Sequence, residues 1–231
     1  MNTLLLEYPY LFSQLIWLLL FLILLLFLSN QRHHIILAGL LALPQAFFAI
    51  GLIPEYWHPK RIFVLGVGLE DFIFSFLAGG LSWGCSIIIL QRKLRLDIRV
   101  RLFLKRYLIC CLFGISSIIL LTRLGMRGIK GPLITLFLWG VILFLLYRRF
   151  WPIALWGFIG FLILYFLGFE IILLIWPDLP SFWTWENLLG YKFLGIPIEE
   201  LIWASLYGPI WALTVGFLLN ARIQNYTLET S

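Results

Sequence analysis

Hydrophobic positions along this chain come in long unbroken runs separated by short polar stretches, without the period-two alternation of half-buried strands. Seven runs, at about 10–29, 34–53, 68–90, 107–121, 131–146, 151–176 and 195–219, are candidate helices for crossing the ~30 Å hydrocarbon core of a bilayer. The pattern therefore predicts an all-α integral membrane protein of about seven transmembrane helices. One stretch breaks the rule: from Lys93 to Leu102 charged and apolar residues alternate strictly. We expect an interfacial, solvated loop there, because helical spans do not carry that period.

Composition agrees, with 62% hydrophobic and 12% charged residues and a mean hydropathy of +1.01. Those values exclude an ordinary soluble globule. Residues 1–10 contain no Lys or Arg and no small-residue cleavage site follows, so the first run is expected to be a retained span rather than a signal peptide. Alternate loops carry eleven Lys and Arg on one side and six on the other. The richer side holds Arg32, the 92–106 cluster, Arg148, Arg149 and Arg222, which by the positive-inside rule places the C-terminus in the cytoplasm and the N-terminus outside. The expected location is a bacterial cytoplasmic membrane. The net charge of +6 is then a cytoplasmic collar facing membrane lipid, and no nucleic-acid partner is needed to explain it. Cys85, Cys110 and Cys111 lack metal-ligand spacing and read as small buried hydrophobes, while His33, His34 and His58 fall near loops. No metal site and no cofactor are expected.

The polar residues inside the apolar runs form a repeat. Leu69-Glu70-Asp71 through Gly79 lies over Ile198-Glu199-Glu200 through Gly208 at a constant offset of 129, matching acid to acid and glycine to glycine. With a three-residue gap, Glu55-Tyr56-Trp57-His58-Pro59 answers Ser181-Phe182-Trp183-Thr184-Trp185. This predicts three units: a first three-helix repeat at 1–90, a basic cytoplasmic loop with a connector helix at 91–130, and a second repeat at 131–231. An odd connector makes the repeats parallel and puts both acidic helix heads on the non-cytoplasmic side.

Carboxylates at membrane depth are costly, and by default they are functional hypotheses. Glu199 and Glu200 stand behind Pro197 at the head of the last run, and helix-dipole stabilisation is the structural alternative for them. Steps of four from Glu199 give Trp203, Tyr207 and Trp211, and steps of four from Glu200 give Ala204, Gly208 and Ala212. Glu70 with Phe74, and Asp71 with Ser75 and Gly79, repeat this in the first half. The small-residue stripes predict that spans three and seven pack on each other. That would crowd Glu70, Asp71, Glu199 and Glu200, with Glu170 of span six as a further neighbour. Crowded, desolvated carboxyls hold protons, so one can protonate a weakly basic substrate while an ionised neighbour takes a proton back. The rings of Trp203, Tyr207 and Phe74 are candidate binding surfaces that would stabilise a cation. In this reading Glu199, above the ladder, is the expected donor and Glu200 its partner at the helix contact.

The Gly195-Ile196-Pro197-Ile198-Glu199-Glu200 helix, with Trp183-Thr184-Trp185-Glu186-Asn187 before it and an earlier Glu-Asp helix, resembles the membrane lycopene cyclase domain family. The resemblance implies paired three-helix domains and cyclisation of a linear carotene end group through a carbocation, without net redox. Glu199 and Glu200 correspond to the acidic motif and Glu70 and Asp71 to its first-half counterpart, which departs from it by having Gly68 for the proline and Asp71 for the second Glu. A lipophilic isoprenoid or carotenoid substrate follows, and self-association into a homo-oligomer stays open. An intramembrane peptidase would need an arginine close behind the acids and later histidines, whereas the only later arginine is Arg222 and no histidine follows. A retinal protein would need a lysine in the seventh run, which has none. The remaining alternative is a non-enzymatic, proton-linked transporter or a lipid- or isoprenoid-binding membrane protein.

Overall fold

The structure is a computed structural model, and it describes residues 7–62, 66–90 and 94–223. Seven helices carry the fold: α1 (Pro9–Phe27), α2 (Arg32–Ala42), α3 (Leu69–Ile87), α4 (Val100–Arg123), α5 (Lys130–Leu146), α6 (Trp151–Ile175) and α7 (Ile198–Leu218). Helix α2 continues into a 3-10 segment, Leu43–Phe48, and a last helical turn, Ala49–Leu52. Pro44 accounts for the change of winding, since it has no N–H and its ring crowds the preceding turn. His33 and His34 lie in the first turn of α2 rather than in a loop.

Among the described residues, five stretches are long and apolar enough to cross a membrane: Pro9–Phe27, Ser29–Leu52, Val100–Arg123, Arg148–Ile175 and Ile198–Leu218. Helix α5 is apolar but has only 17 residues. Helix α3 falls outside that set for a different reason. Fourteen of its 19 residues are buried, and it packs against α1, α2, α6 and α7. A helix surrounded by protein has no need of a lipid-compatible surface, so it can carry two acids, three serines and three glycines. Helix α4 is the opposite case and buries none of its residues.

Glycines set the closest approaches. A methyl group on Gly79 of α3 would lie 3.0 Å from the Ala38 carbonyl oxygen of α2, and one on Gly208 of α7 would meet the Gly157 carbonyl of α6 and lie 2.9 Å from Phe161 Cβ. The expected packing of α3 on α7 is present, and the Gly79 position also lies 3.1 Å from Trp211 Nε1 of α7, but the backbone approaches that the glycines permit are to other helices. Each glycine instead admits the helix preceding its own in the chain. Helices α3 and α7 do touch, through Ser82 Oγ donating to the Gly208 carbonyl at 2.9 Å and through the Phe74 and Trp203 rings at 5.7 Å.

The connections gather at two ends. At one, Trp57 and Trp183 form an antiparallel bridge. His58 N–H donates to the Phe182 carbonyl at 2.8 Å and Thr184 N–H to the Tyr56 carbonyl at 2.9 Å. Nearby, β2 (Lys192–Phe193) pairs with β3 (Ile196–Pro197). At the other end β1 (Leu94–Leu96) pairs antiparallel with β4 (Ala221–Ile223). The alternating stretch is thus partly strand, and it is shorter than expected. Helix α4 has begun by Val100, so Arg101, Lys105 and Arg106 are helical, and Arg106 reaches across to the Phe217 carbonyl. The period of two reflects pairing with the C-terminal strand, a partner more than a hundred residues away. Arg92 and Lys93 lie outside the described residues.

Candidate functional site

Glu200 sits in the first turn of α7, where the preceding residues Ile196–Pro197 are held extended by β2. Its carboxylate accepts from Tyr165 Oη at 2.6 Å, Tyr56 Oη at 2.8 Å and Trp183 Nε1 at 3.3 Å. These donors come from α6, from the loop before α3, and from the loop before α7. All three are neutral, and among the described residues no ion pair reaches Glu200. Burial is the chief cause that pushes the Tyr56 hydroxyl well above the ordinary tyrosine range. Tyr56 therefore remains a donor.

Asp71, in the first turn of α3, has a different set of partners. Tyr10 Oη donates to Oδ1 at 2.9 Å, Arg61 Nη1 pairs with Oδ2 at 3.1 Å, and Gly68 N–H donates to Oδ2 at 2.7 Å. Both members of the ion pair are nearly dry, with 8% of the Arg61 side chain and 6% of the Asp71 side chain exposed. The glycine at 68 now has a physical reason. Its N–H, which a proline lacks, caps Asp71, and a Cβ there would lie 2.5 Å from Glu70 Oε2.

The other two acids face away from these clusters. Glu199 Oε1 accepts from Leu189 N–H at 2.5 Å, and Glu70 Oε1 accepts from Ile62 N–H at 2.9 Å. Each leaves its second carboxyl oxygen buried without a hydrogen bond. The orientation of the acid pair thus differs from the expectation that Glu199 stands above the aromatic ladder. It is Glu200 that shares a cavity with Trp203 and Tyr207. Helical spacing left this open, because Trp203 is four residues from one acid and three from the other; the tyrosines and Trp183 arriving from elsewhere select Glu200. Glu170 is half-buried on α6, has one oxygen buried without a partner, and lines neither cavity described below.

Asp71 and Glu200 both line one cavity of about 150 Å³. Its walls include Trp17, Phe74, Tyr165, Trp203 and Tyr207. Trp203 and Tyr207 stack at 4.6 Å and 18°, and Trp17 and Tyr165 stack at 5.1 Å and 19°. Phe74 meets the cavity from α3, opposite Trp203. A second cavity of about 450 Å³ adjoins the first, with Gln45, Phe48, Pro132, Trp203 and Tyr207 lining both. The sequence does not single out Tyr10, Arg61 or Tyr165 as partners of the acids, and it marks Tyr56 and Trp183 only as members of the two matching aromatic stretches. Arg61 had a weak signal, a cation ten residues before a buried acid. Tyr165, one more aromatic in an apolar run, had none.

The arrangement offers two carboxyl groups in unlike settings, one ion-paired and one held by neutral donors, on an apolar space walled by aromatic faces. Comparison with protein-family models, with curated proteins and with solved structures returns no match for this chain.

Proposed function

We propose that this chain is a membrane enzyme that cyclises the end group of a linear polyene, lycopene or a related carotene, by acid-initiated carbocation chemistry without net redox. The observation that carries the proposal is that Asp71 and Glu200 share one aromatic-walled cavity while only Asp71 has a cation. Environments that differ in this way separate acid from base roles. Glu200, with neutral partners only, gives a proton to the terminal double bond. The cation formed is attacked by the π electrons of the neighbouring double bond, closing the ring. A proton then leaves the carbon next to the new cationic centre for the Asp71 carboxylate, and return of one proton to Glu200 resets the site. Atoms balance as an isomerisation. Trp203, Tyr207 and Phe74 present ring faces to the cationic stage. Glu199 and Glu70 act through backbone contacts, holding the Leu189 and Ile62 segments against the helix heads.

Two parallel three-helix repeats, 1–90 and 131–231, joined by a connector at 91–130, are part of the same proposal. The mutual hydrogen bonds about Trp57 and Trp183, and the matching use of Gly79 and Gly208, support it. So does the resemblance of the Pro-Ile-Glu-Glu helix to lycopene cyclase domains. The acids then lie toward the non-cytoplasmic face, with the N-terminus outside and the C-terminus inside, as the distribution of Lys and Arg favours.

Expression in lycopene-making bacteria tests the function. Cyclic carotenes are expected, with Glu200→Gln and Asp71→Asn each reducing conversion at least a hundredfold. Unchanged lycopene beside well-folded protein would overturn the cyclase assignment and favour an isoprenoid-binding or proton-linked transport protein built on the same cavity.

A further inference from the structure

The cavity beside the carboxylates is small, and a linear polyene extends well beyond its reacting end. The larger cavity supplies the missing room. It is bounded by the 3-10 segment at Leu43–Phe48, by α4, by α5 and by the middle of α7. Trp203 and Tyr207 line both spaces, so the ring faces that wall the carboxylate cavity also border the larger one. Among the described residues, no Asp, Glu, Lys, Arg or His lines the larger cavity. Phe47 on the 3-10 segment and Ile115 on α4 both line it, and each is 57% exposed. Helix α4 buries no residue, so it is the wall least anchored to the rest of the bundle.

We infer that the larger cavity is the holding site for the unreacted hydrocarbon tail of a linear isoprenoid, entered sideways from the bilayer between Phe47 and Ile115, while the reacting end sits at Asp71 and Glu200. The inference rests on the acid-initiated reading above and adds where the rest of the substrate lies. A tail without polar groups fits an uncharged and mostly apolar lining, whose polar members include Gln45, Thr135 and Thr214, and it leaves no buried charge unpaired. Entry from lipid also spares a polyene the passage through water that its apolar surface forbids. The winding change at Pro44 places the break in α2 at this mouth, where a regular helix would present a continuous wall.

Two natural thiols, Cys110 and Cys111, line the larger cavity, whereas Cys85 is buried elsewhere. The full chain in phospholipid vesicles is labelled with N-ethylmaleimide, with and without lycopene, and the peptides are quantified by mass spectrometry. Lycopene is expected to slow labelling of the Cys110–Cys111 peptide at least fivefold and to leave Cys85 unchanged. Gly114 also lines this cavity, and a Cβ there would approach only Phe48 Cζ, at 4.0 Å, so the backbone position accepts a side chain and Gly114→Leu is the variant chosen to occupy the cavity. That variant is expected to lose the protection and to convert lycopene about tenfold more slowly. Glu200→Gln should keep the protection while losing conversion. Labelling unaffected by lycopene in wild-type protein that converts it would overturn the tail site and leave the cyclase reading standing. Labelling that is fast in detergent but equally slow in vesicles with or without lycopene would assign the cavity to a lipid acyl chain and overturn the inference. Protection without conversion would uphold the tail site and sink the cyclase reading, and neither protection nor conversion would sink both.

Discussion

Arg61→Met isolates what the buried ion pair contributes to this bundle. The substitution keeps a long unbranched side chain but removes the cation from Asp71, whose remaining donors are Tyr10 Oη and Gly68 N–H. Removing one member of a buried pair leaves the other charge uncompensated and costs about 3–5 kcal/mol. Because two neutral donors stay in place, the low end of that range, about 3 kcal/mol, is expected. Asp71→Asn alone leaves Arg61, a side chain 8% exposed, with its bond to the Gly66 carbonyl but without a counter-charge, and should also cost about 3 kcal/mol. The double variant leaves neither charge buried and should recover most of the loss, giving a coupling energy of about 2 kcal/mol or more. Reversible unfolding in mixed micelles, followed by far-ultraviolet circular dichroism, measures all four corners of the cycle. Two results would refute the reasoning: Arg61→Met within about 0.5 kcal/mol of wild type, as for a surface substitution, or a double variant whose losses simply add.

Three further outcomes follow from the geometry. Gly208→Val should destabilise by about 2 kcal/mol or more, since its side chain meets the Gly157 backbone carbonyl of α6, which cannot give way without separating two helices; Gly114→Ala, into open space, should be neutral or slightly stabilising in the same unfolding assay. Gly68→Pro removes a hydrogen bond to a buried carboxylate, worth about 1.5–3 kcal/mol, and crowds Glu70, so its melting temperature should fall further than that of Gly68→Ala, which retains the N–H. At the opposite end, the hydrogen bond from Arg99 holds the Asp97 carboxyl below its ordinary value, with Asn220 and Arg222 adding to it. Its contribution is present above the ordinary aspartate range and lost as pH falls through the lowered value. Hydrogen exchange at the paired strands Leu94–Leu96 and Ala221–Ile223 should therefore quicken on acidification in wild type and be pH-independent, apart from intrinsic exchange, in Asp97→Asn.

Sequence alone determined where the helices run and which polar residues matter, because both are local. A run of apolar residues dictates a helix wherever backbone groups must be satisfied without water, and each of the seven runs holds a helix among the described residues, though the second changes winding after Ala42 and the fourth starts seven residues early, at Val100. The acids at 70, 71, 199 and 200 stood out because charge inside such a run is expensive. The offset of 129 aligns Gly79 with Gly208, and the structure sets each against the helix that precedes its own. What remained hidden was long-range. Tyr56 reaches Glu200 across 144 positions, and Tyr10 reaches Asp71 across 61; no local periodicity encodes such partners. The choice between Glu199 and Glu200 could not be made from helical spacing, since both flank Trp203. Tertiary structure made it, by delivering three neutral donors to one acid and a backbone N–H to the other. It likewise gave Asp71 a cation and withheld one from Glu200, a difference that depends on which loops meet at one end of the bundle and that no stretch of the chain carries by itself.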